Sequence, residues 1–525
     1  MNAPDGTKSL APADIALPLK PVSEEIVIGK DILELLTGAM YSDPLTIFRE
    51  YVQNSTDAIE DAVATGLLAT MQDGIIELEL DGVSRSIRIR DNGIGIPVKE
   101  FAGRLTAIGM SKKRGRKRRG FRGVGRLSGL GYCQEMVFRS KSADDAKPRE
   151  MVWDGRMLKS MLRDSSVISD LGETIRRVAS VRSISPDGYP DHFFEVELRG
   201  VLRLSNDLLL DEQVVQSYLS QVAPVAFAPG FSWGAQIEAF LARHSVEQSV
   251  RVQLKKGSPI FKPHARELRV SKTATSRPRD VETFELGGLE GEVAAVGWIL
   301  HHDYPGAISS ASAVGGLRIR SGNIQVGDET LLEDTFPESR FNSWAIGEIH
   351  ILSPRIVPNG RRDGFEANIH WERLVAQVES IAVSIARRCR SESRARVAAR
   401  RGQQLYDRAQ QALLVARMYS KLGFGIEVLV KDLEKIAGEI SKLAGREDKG
   451  LPIHQTLRDL QTKLKGQIGG LKTHPMKSNP LEFLPANQRT TFKTALELVL
   501  TLSADRTEAS RLVQKIILHA RRANA

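Results

Sequence analysis

The chain has little cysteine and no long apolar run. Its 525 residues include two cysteines, Cys133 and Cys389, which excludes a disulfide-stabilised scaffold and suits a reducing compartment. No eighteen consecutive residues are apolar, and the first twenty contain no apolar stretch behind a basic segment. We therefore expect a cytoplasmic protein without a membrane partner.

A P-loop is also missing. The glycine-rich part of the chain does not have the Gly-x-x-x-x-Gly-Lys-Ser/Thr spacing, so P-loop phosphate binding is excluded. Hydrophobic residues make up 41% of the chain and charged residues 26%, as in ordinary globular proteins. The length predicts about three domains. The net charge of +10 permits an acidic partner such as nucleic acid without requiring one.

A helix is predicted from Phe48 to Ala64, behind the capping-type start Ser42-Asp43-Pro44. Its apolar stripe consists of Phe48, Val52, Ser55, Ile59 and Val63. A second stripe consists of Glu50, Asn54, Asp57 and Asp61. Asn54 can hold Mg²⁺ together with phosphate oxygens, and Glu50 can deprotonate an attacking water. Alone, such a stripe more often marks a solvated face, but the next two motifs favour a site.

Two strands are predicted next, from Ile76 to Leu80 and from Ile87 to Arg90, joined as an antiparallel hairpin. Asp91 then lies at a strand end. Gly93 and Gly95 leave room for a flat base beside the backbone. A carboxylate only accepts hydrogen bonds, so Asp91 suits the exocyclic amine of adenine and would repel the carbonyl oxygen of guanine.

A glycine-rich segment follows from Gly120 to Gly131, with glycines at 120, 123, 125, 129 and 131. Backbone amides of such a loop can bind phosphate oxygens. Ser111 and the stretch from Lys112 to Arg119, in which seven of eight residues are basic, precede it. We interpret this stretch as a nucleotide lid.

In this order the motifs resemble the GHKL superfamily of gyrase, histidine kinases, MutL and the ninety-kilodalton heat-shock chaperones. The segment from Glu25 to Ala58 is most similar to the chaperones. The resemblance implies ATP and Mg²⁺ as ligands, Glu50 as catalytic base, Asn54 as metal ligand and Asp91 as the adenine-binding acid. The nucleotide-contacting residues indicated by the motifs and the resemblance are Asn54, Asp57, Asp91, Gly93, Gly95, Ile96, Ser111, Lys112, Gly120, Gly123, Val124 and Gly125.

Two later segments, 316–323 and 356–366, resemble the middle domain of these chaperones and of the MORC proteins. In that family a basic residue of the middle domain reaches the terminal phosphate. Arg362 best matches this residue, with Arg361 as the runner-up. A guanidinium there can neutralise the charge that develops in phosphoryl transfer. A solvated arginine pair in a turn remains the alternative.

The chain also departs from the chaperone pattern. The predicted strand from His192 to Leu198 has no Gly-Thr pair before it, and Gly172-Glu173-Thr174 is a poor substitute. The basic lid and Arg126 differ from typical chaperones, and Gly120-Phe121-Arg122-Gly123 resembles MutL. The branch of the superfamily therefore stays open.

The predicted fold is a multidomain α/β protein. Residues 1–20 form a flexible arm, residues 21–205 a GHKL (Bergerat) α/β sandwich, and residues 206–370 an α/β middle domain, for which the resemblance implies a part like ribosomal protein S5. A helix is predicted from Asp211 to Val222. Residues 371–525 form an all-α region whose three-and-four spacing predicts a helical hairpin or coiled-coil arm, followed by a helical stretch from Thr490 to Arg522.

The partners and the client of this ATPase are less defined. The resemblance implies a homodimer that closes on ATP and acts as a clamp on a protein client, with accessory subunits possible. The basic stretches Lys112–Arg119 and Arg387–Arg401 indicate nucleic acid instead, as in MORC or MutL, although Arg387–Arg401 could equally be a solvated helix face. A histidine kinase with His454 as phosphoacceptor is the alternative from another class.

Overall fold

The computed structural model describes residues 29–30, 33, 43–109, 125–164, 170–255, 257, 259–270, 274–420, 426–447, 452–472 and 480–524. The predicted arm, residues 1–20, and the predicted lid, residues 112–119, lie outside the described residues.

The N-terminal part is a seven-stranded mixed sheet with helices on one face. Its strand order is β5-β4-β3-β6-β2-β1-β7, with β1 and β7 parallel and the other neighbours antiparallel. The strands are β1 (Ile75–Asp81), β2 (Ser86–Asp91), β3 (Glu135–Lys141), β4 (Arg149–Asp154), β5 (Ala179–Ser183), β6 (Phe193–Arg199) and β7 (Arg251–Leu254). The helices are α1 (Thr46–Ala64), α2 (Val98–Thr106), α3 (Gly155–Arg163), α4 (Leu171–Val178) and α5 (Glu212–Val222).

The two faces of this sheet differ because the strands alternate apolar and charged residues. The apolar positions of β1, β2, β3 and β6 join α1 in one core. The opposite face is an ion-pair network, in which Arg139 binds Glu150 at 2.7 Å and Glu195 at 2.6 Å, and Arg90 binds Glu195 at 2.6 Å. The alternation thus fixes which face receives the helices.

The middle part contains a five-stranded sheet of order β10-β11-β14-β12-β13, packed on both faces. Helix α6 covers one face and the first half of α7 covers the other. The elements, including a small hairpin of β8 and β9, are α6 (Gly234–Arg243), β8 (Leu268–Arg269), β9 (Thr275–Ser276), β10 (Pro278–Gly287), β11 (Val293–His302), β12 (Gly316–Ser321), β13 (Ile324–Val326), β14 (Ile346–Ile351) and α7 (Ile369–Ser420).

The C-terminal part is helical. The second half of α7 packs with α8 and α9 around one apolar core, to which α10 and α11 add. These helices are α8 (Ile426–Ala444), α9 (Pro452–Lys472), α10 (Ala486–Leu502) and α11 (Arg506–Ala523). None of the helices in the described parts of the chain is both long and apolar enough to cross a membrane.

The predicted fold class is confirmed: a mixed α/β sheet near the N-terminus, a second α/β unit and an all-helical C-terminal region. The structure differs from the expectations in three details. Strand β7 extends the first sheet beyond residue 205, where the predicted ATP-binding domain ends. The predicted hairpin is a three-helix bundle, because α7 contributes its second half. The stretch from Thr490 to Arg522 is divided between α10 and α11.

Candidate active site

Helix α1 carries the first group of predicted site residues. The carboxylate of Asp43, three residues before the helix begins, accepts a hydrogen bond from the Leu45 amide at 3.0 Å. Glu50 is 8% exposed and Asp57 is 2% exposed, whereas Asn54 is half-buried. The predicted polar stripe is therefore not a solvated face.

Asp91 is the last residue of β2 and is buried, at 2% exposure. Its Oδ1 accepts a hydrogen bond from the Gly93 amide at 2.9 Å. Its Oδ2 is buried and has no hydrogen-bond partner by geometry among the residues that the structure describes. Burial raises the pKa of this carboxyl to about 7, although the nearby Ser55 hydroxyl and the Gly93 and Phe194 amides favour the ionised form. An external hydrogen-bond donor would satisfy this oxygen.

The loop after Asp91 approaches its neighbours so closely that two positions require glycine. A Cβ on Gly93 would lie 2.7 Å from Ala58 of α1. Gly95 has a φ of +71°, and a Cβ there would collide with the Lys141 carbonyl oxygen. The loop is held by two further hydrogen bonds: the Ile96 amide donates to Ser140 Oγ at 2.8 Å, and His192 Nδ1 donates to the Gly93 carbonyl at 2.9 Å.

The end of the glycine-rich segment lies against α1. Residues Gly125–Gly131 form a 3₁₀ helix, and a Cβ on Gly125 would collide with the carboxylate of Glu50. The amide of Gly129 donates to Tyr51 Oη at 3.1 Å, and Tyr51 Oη donates to the Arg126 carbonyl at 3.3 Å. The segment that follows the predicted lid is thus fixed beside the predicted base.

The carboxylate of Glu50 has one nearby cation, Arg49, and few hydrogen-bond donors in the described part of the chain. Its Oε1 lies 3.7 Å from Arg49 Nη2 and, within the described part of the chain, has no hydrogen-bond partner. A buried carboxylate oxygen without a hydrogen-bond donor is unfavourable, and a water or a ligand can supply the donor.

A loop of the middle part reaches the same end of α1. Arg49 donates from Nη2 to the Arg361 carbonyl at 3.0 Å and from Nη1 to the Arg362 carbonyl at 3.4 Å. Arg362 is 7% exposed and has a φ of +57°, whereas Arg361 is exposed. The residue next to Glu50 therefore binds the backbone of both candidate arginines, more than 300 residues away in the chain.

The structure brings most of the predicted residues to one region. Asp91 and Gly93 lie beside α1 at Ser55 and Ala58, and Gly95 lies against the Lys141 backbone. Gly125 lies beside Glu50, and the 361–362 loop is bound by the neighbouring Arg49. The predicted residues Ser111, Lys112, Gly120, Gly123 and Val124 lie outside the described residues. The catalytic and binding roles of the set stay predictions.

Sequence reasoning missed Arg49, Tyr51, Ser55, Ser140 and His192 as parts of the site. Ser55 occupies the apolar stripe of α1, and a polar residue on such a stripe is a usable signal. The others act through contacts between distant segments, for which the sequence carries no local signal.

Comparison with known proteins agrees with this geometry. Residues 43–169 match the family model described as histidine kinase-, DNA gyrase B- and HSP90-like ATPase. The chain is similar to the chaperone protein HtpG of Nocardia farcinica, with 26% identity over 197 residues, 34% of this chain and 30% of the relative. It is also similar to HtpG of Streptomyces coelicolor, with 32% identity over 90 residues, 16% of this chain and 14% of the relative.

The matches with these relatives span less than a third of the relatives' length. The resemblance seen in the motifs is nevertheless confirmed: the N-terminal domain is of the GHKL ATPase type and close to the heat-shock chaperone family.

Proposed function

We propose that this protein is a Mg²⁺-dependent ATPase that works as an ATP-gated conformational clamp. The observation that carries the proposal is a pair of buried carboxylate oxygens, Glu50 Oε1 and Asp91 Oδ2, each without a hydrogen-bond donor among the described residues. Both lie within the segment that matches the ATPase family.

Each residue has a distinct task in this proposal. Asp91 accepts a hydrogen bond from the adenine amine, and Gly93 and Gly95 let the base approach the backbone. Glu50 orients and deprotonates the attacking water. Asn54 would hold Mg²⁺ through its amide oxygen, together with phosphate oxygens and water.

The bound Mg²⁺ would neutralise charge on the phosphates, and the Arg362 guanidinium would add to this in the transition state. Arg49 supports this role because it holds the Arg361 and Arg362 carbonyls beside α1. If ATP binds the closed arrangement better than the open one, its binding and hydrolysis can drive a cycle of closure and release.

The relatives are chaperones, so a protein client, accessory subunits and a homodimer in the cytoplasm belong to the proposal at family level. A MORC-like or MutL-like action on DNA is the second candidate, favoured by the exposed arginines of α7. His454 lies in the first turn of α9. Among the described residues, no contact of this histidine with the site around Glu50 and Asp91 supports transfer of phosphate to it.

The decisive experiment is Glu50→Gln, measured by steady-state phosphate release with Mg²⁺ and ATP. We expect turnover to fall by about 10²–10⁴ with ATP binding retained, because only the base is lost. The control is Glu212→Gln, an exposed glutamate at the start of α5. Unchanged turnover in Glu50→Gln would remove this residue from the mechanism.

A second pair of variants separates the two candidate arginines. Arg362→Ala should slow hydrolysis while sparing ATP binding, and Arg361→Ala should have a small effect because its side chain is exposed. The reverse result would assign the phosphate contact to Arg361.

A further inference from the structure

Helix α7 carries a row of five arginines on one side. They are Arg387, Arg390, Arg394, Arg401 and Arg408, and we refer to them as the arginine stripe. Their spacings of three, four, seven and seven residues place them within an arc of about 60° on an α-helix of 3.6 residues per turn. All five side chains are exposed.

The stripe faces away from the middle sheet. The residues of α7 that pack on that sheet include Ile385 and Cys389, which the same periodicity places on the other side of the helix. Further along, Leu405 lies on the same arc as the stripe and packs with Ala409 into the three-helix bundle, so Arg401 and Arg408 border the bundle core while their side chains stay exposed. The arginines thus follow an outer surface shared by two parts of the molecule.

Little negative charge lies on this surface. Arg390 binds Glu338 at 2.8 Å, whereas the other four stripe arginines make no hydrogen bond or ion pair with any described residue. The stretch from 387 to 408 contains two acidic residues, Glu392 and Asp407. Both lie off the stripe: Glu392 is 3.9 Å from Arg279, and Asp407 accepts a hydrogen bond from Gln403.

The length and the composition of the stripe favour duplex DNA over single-stranded nucleic acid and over a membrane surface. Twenty-one residues of helix span about 32 Å, close to the roughly 34 Å of one turn of duplex DNA. Single strands are usually bound by stacking on exposed aromatic rings, but the only aromatic residue from 387 to 408, Tyr406, is buried. A membrane surface would need an apolar face, and among the described residues Val397 is the only large exposed hydrophobic residue on this stretch of α7 near the stripe.

We propose that the arginine stripe binds the phosphate backbone of double-stranded DNA, independently of base sequence. Guanidinium groups match phosphate geometry, and one continuous helix, α7, carries all five. This inference deepens the second candidate function by naming duplex DNA as the client and α7 as its binding surface. It rests on the proposed function for the role of ATP, whereas the binding of DNA does not depend on it.

The test measures binding of the full-length protein to a fluorescent 20-base-pair duplex of random sequence, by anisotropy at 50 to 300 mM NaCl. Four unneutralised arginines predict a salt slope steeper by about 3 to 4 in the logarithmic plot than without them. The variant Arg387→Gln, Arg394→Gln, Arg401→Gln, Arg408→Gln should lose this difference and bind much more weakly at 50 mM.

The matched control replaces Arg203, Arg243, Arg251 and Arg269 by glutamine, all exposed and all outside α7. It removes the same net charge and should keep the slope. The proposal fails if the wild type does not bind at 50 mM, if the stripe variant binds as the wild type does, or if the control loses as much as the stripe variant. It also fails if the stripe variant loses binding of a polyglutamate peptide but not of the duplex, since the surface would then be a protein-binding one.

Phosphate release without DNA is measured on the same samples. Both quadruple variants should keep the wild-type basal rate. A wild type that binds duplex without hydrolysing ATP would refute the proposed ATPase and leave the stripe intact, so the two failures can be told apart.

Discussion

Two equally buried carboxylates, Glu348 of the middle sheet and Asp91 of the N-terminal sheet, are compensated in opposite ways. The N-terminal sheet also buries Glu195, but Arg90 and Arg139 compensate that carboxylate. In the middle sheet, Glu348 is 2% exposed and is bound by Lys262 at 2.6 Å, Arg320 at 2.6 Å and His350 at 3.3 Å. In the N-terminal sheet, Asp91 is equally buried but faces no basic side chain, and its Oδ2 has no geometric hydrogen-bond donor in the described part of the chain.

The pKa values of Glu348 and Asp91 are shifted in opposite directions. Although burial alone would raise the pKa of Glu348, Arg320 and Lys262 hold it well below its usual range. Burial raises the pKa of Asp91 to about 7 because no cation among the described residues offsets the lost hydration. A carboxylate compensated from within serves the fold, whereas one left uncompensated is suited to an external partner.

The largest expected effect is the loss of stability on replacing Glu348. Arg320 also donates to the Gln221 and Ala223 carbonyls, so the cluster joins the middle sheet to the C-terminal end of α5. Glu348→Gln would leave two buried cations without their counter-ion and should lower the free energy of unfolding by about 3–5 kcal/mol. Denaturant titration measures this.

Glu290→Gln is the control for Glu348→Gln, because Glu290 forms its ion pair with Arg355 on the surface. It should change the free energy of unfolding much less. Equal losses in both variants would mean that the burial of Glu348 is irrelevant to its contribution.

The second prediction concerns Asp91, whose replacement should raise the free energy of unfolding at high pH. Below the unfolded pKa of Asp91, near 4, the carboxyl is neutral in both states. As pH rises toward the folded value of about 7, only the unfolded state ionises, so stability is lost at up to about 1.4 kcal/mol per pH unit. Asp91→Asn should therefore be more stable than the wild type at pH 8, and the difference should shrink toward pH 4.5.

Denaturant titrations of both proteins at the two pH values check this. A variant that is less stable than the wild type at pH 8 would show that Asp91 is compensated after all, and the contrast with Glu348 would disappear.

The same contrast separates what the sequence predicts from what it does not. Helix α1, the β1–β2 hairpin and the position of Asp91 follow from local periodicity, and the sheet pairs β1 with β2 in the expected manner. Most of the C-terminal helices follow from their apolar spacing.

Contacts between distant segments were not predictable in this way. Strand β7 pairs with β1 across some 175 residues, and Arg49 binds the carbonyls of the 361–362 loop. Neither contact has a local pattern, because each depends on how separately formed elements dock. The separation of Asp91 from Arg88 and Arg90, in contrast, follows from the local alternation of β2, which places both arginines on the other face of the sheet.

The smallest effect concerns ATP itself. If Asp91 accepts a hydrogen bond from the adenine amine, its ionised form is the one that binds, so affinity should rise with pH and level off above about 7. Below that value the affinity should fall by up to tenfold, or about 1.4 kcal/mol, for each pH unit. Calorimetric titration with ATP from pH 5.5 to 8.5 measures the profile.

The variant Asp91→Asn should bind ATP more weakly than the wild type by about 1.5–3 kcal/mol at pH 8, the contribution of a hydrogen bond to a charged group. Its profile should also be flat in this range. A wild-type profile as flat as that of the variant would mean that the uncompensated carboxylate does not contact the nucleotide.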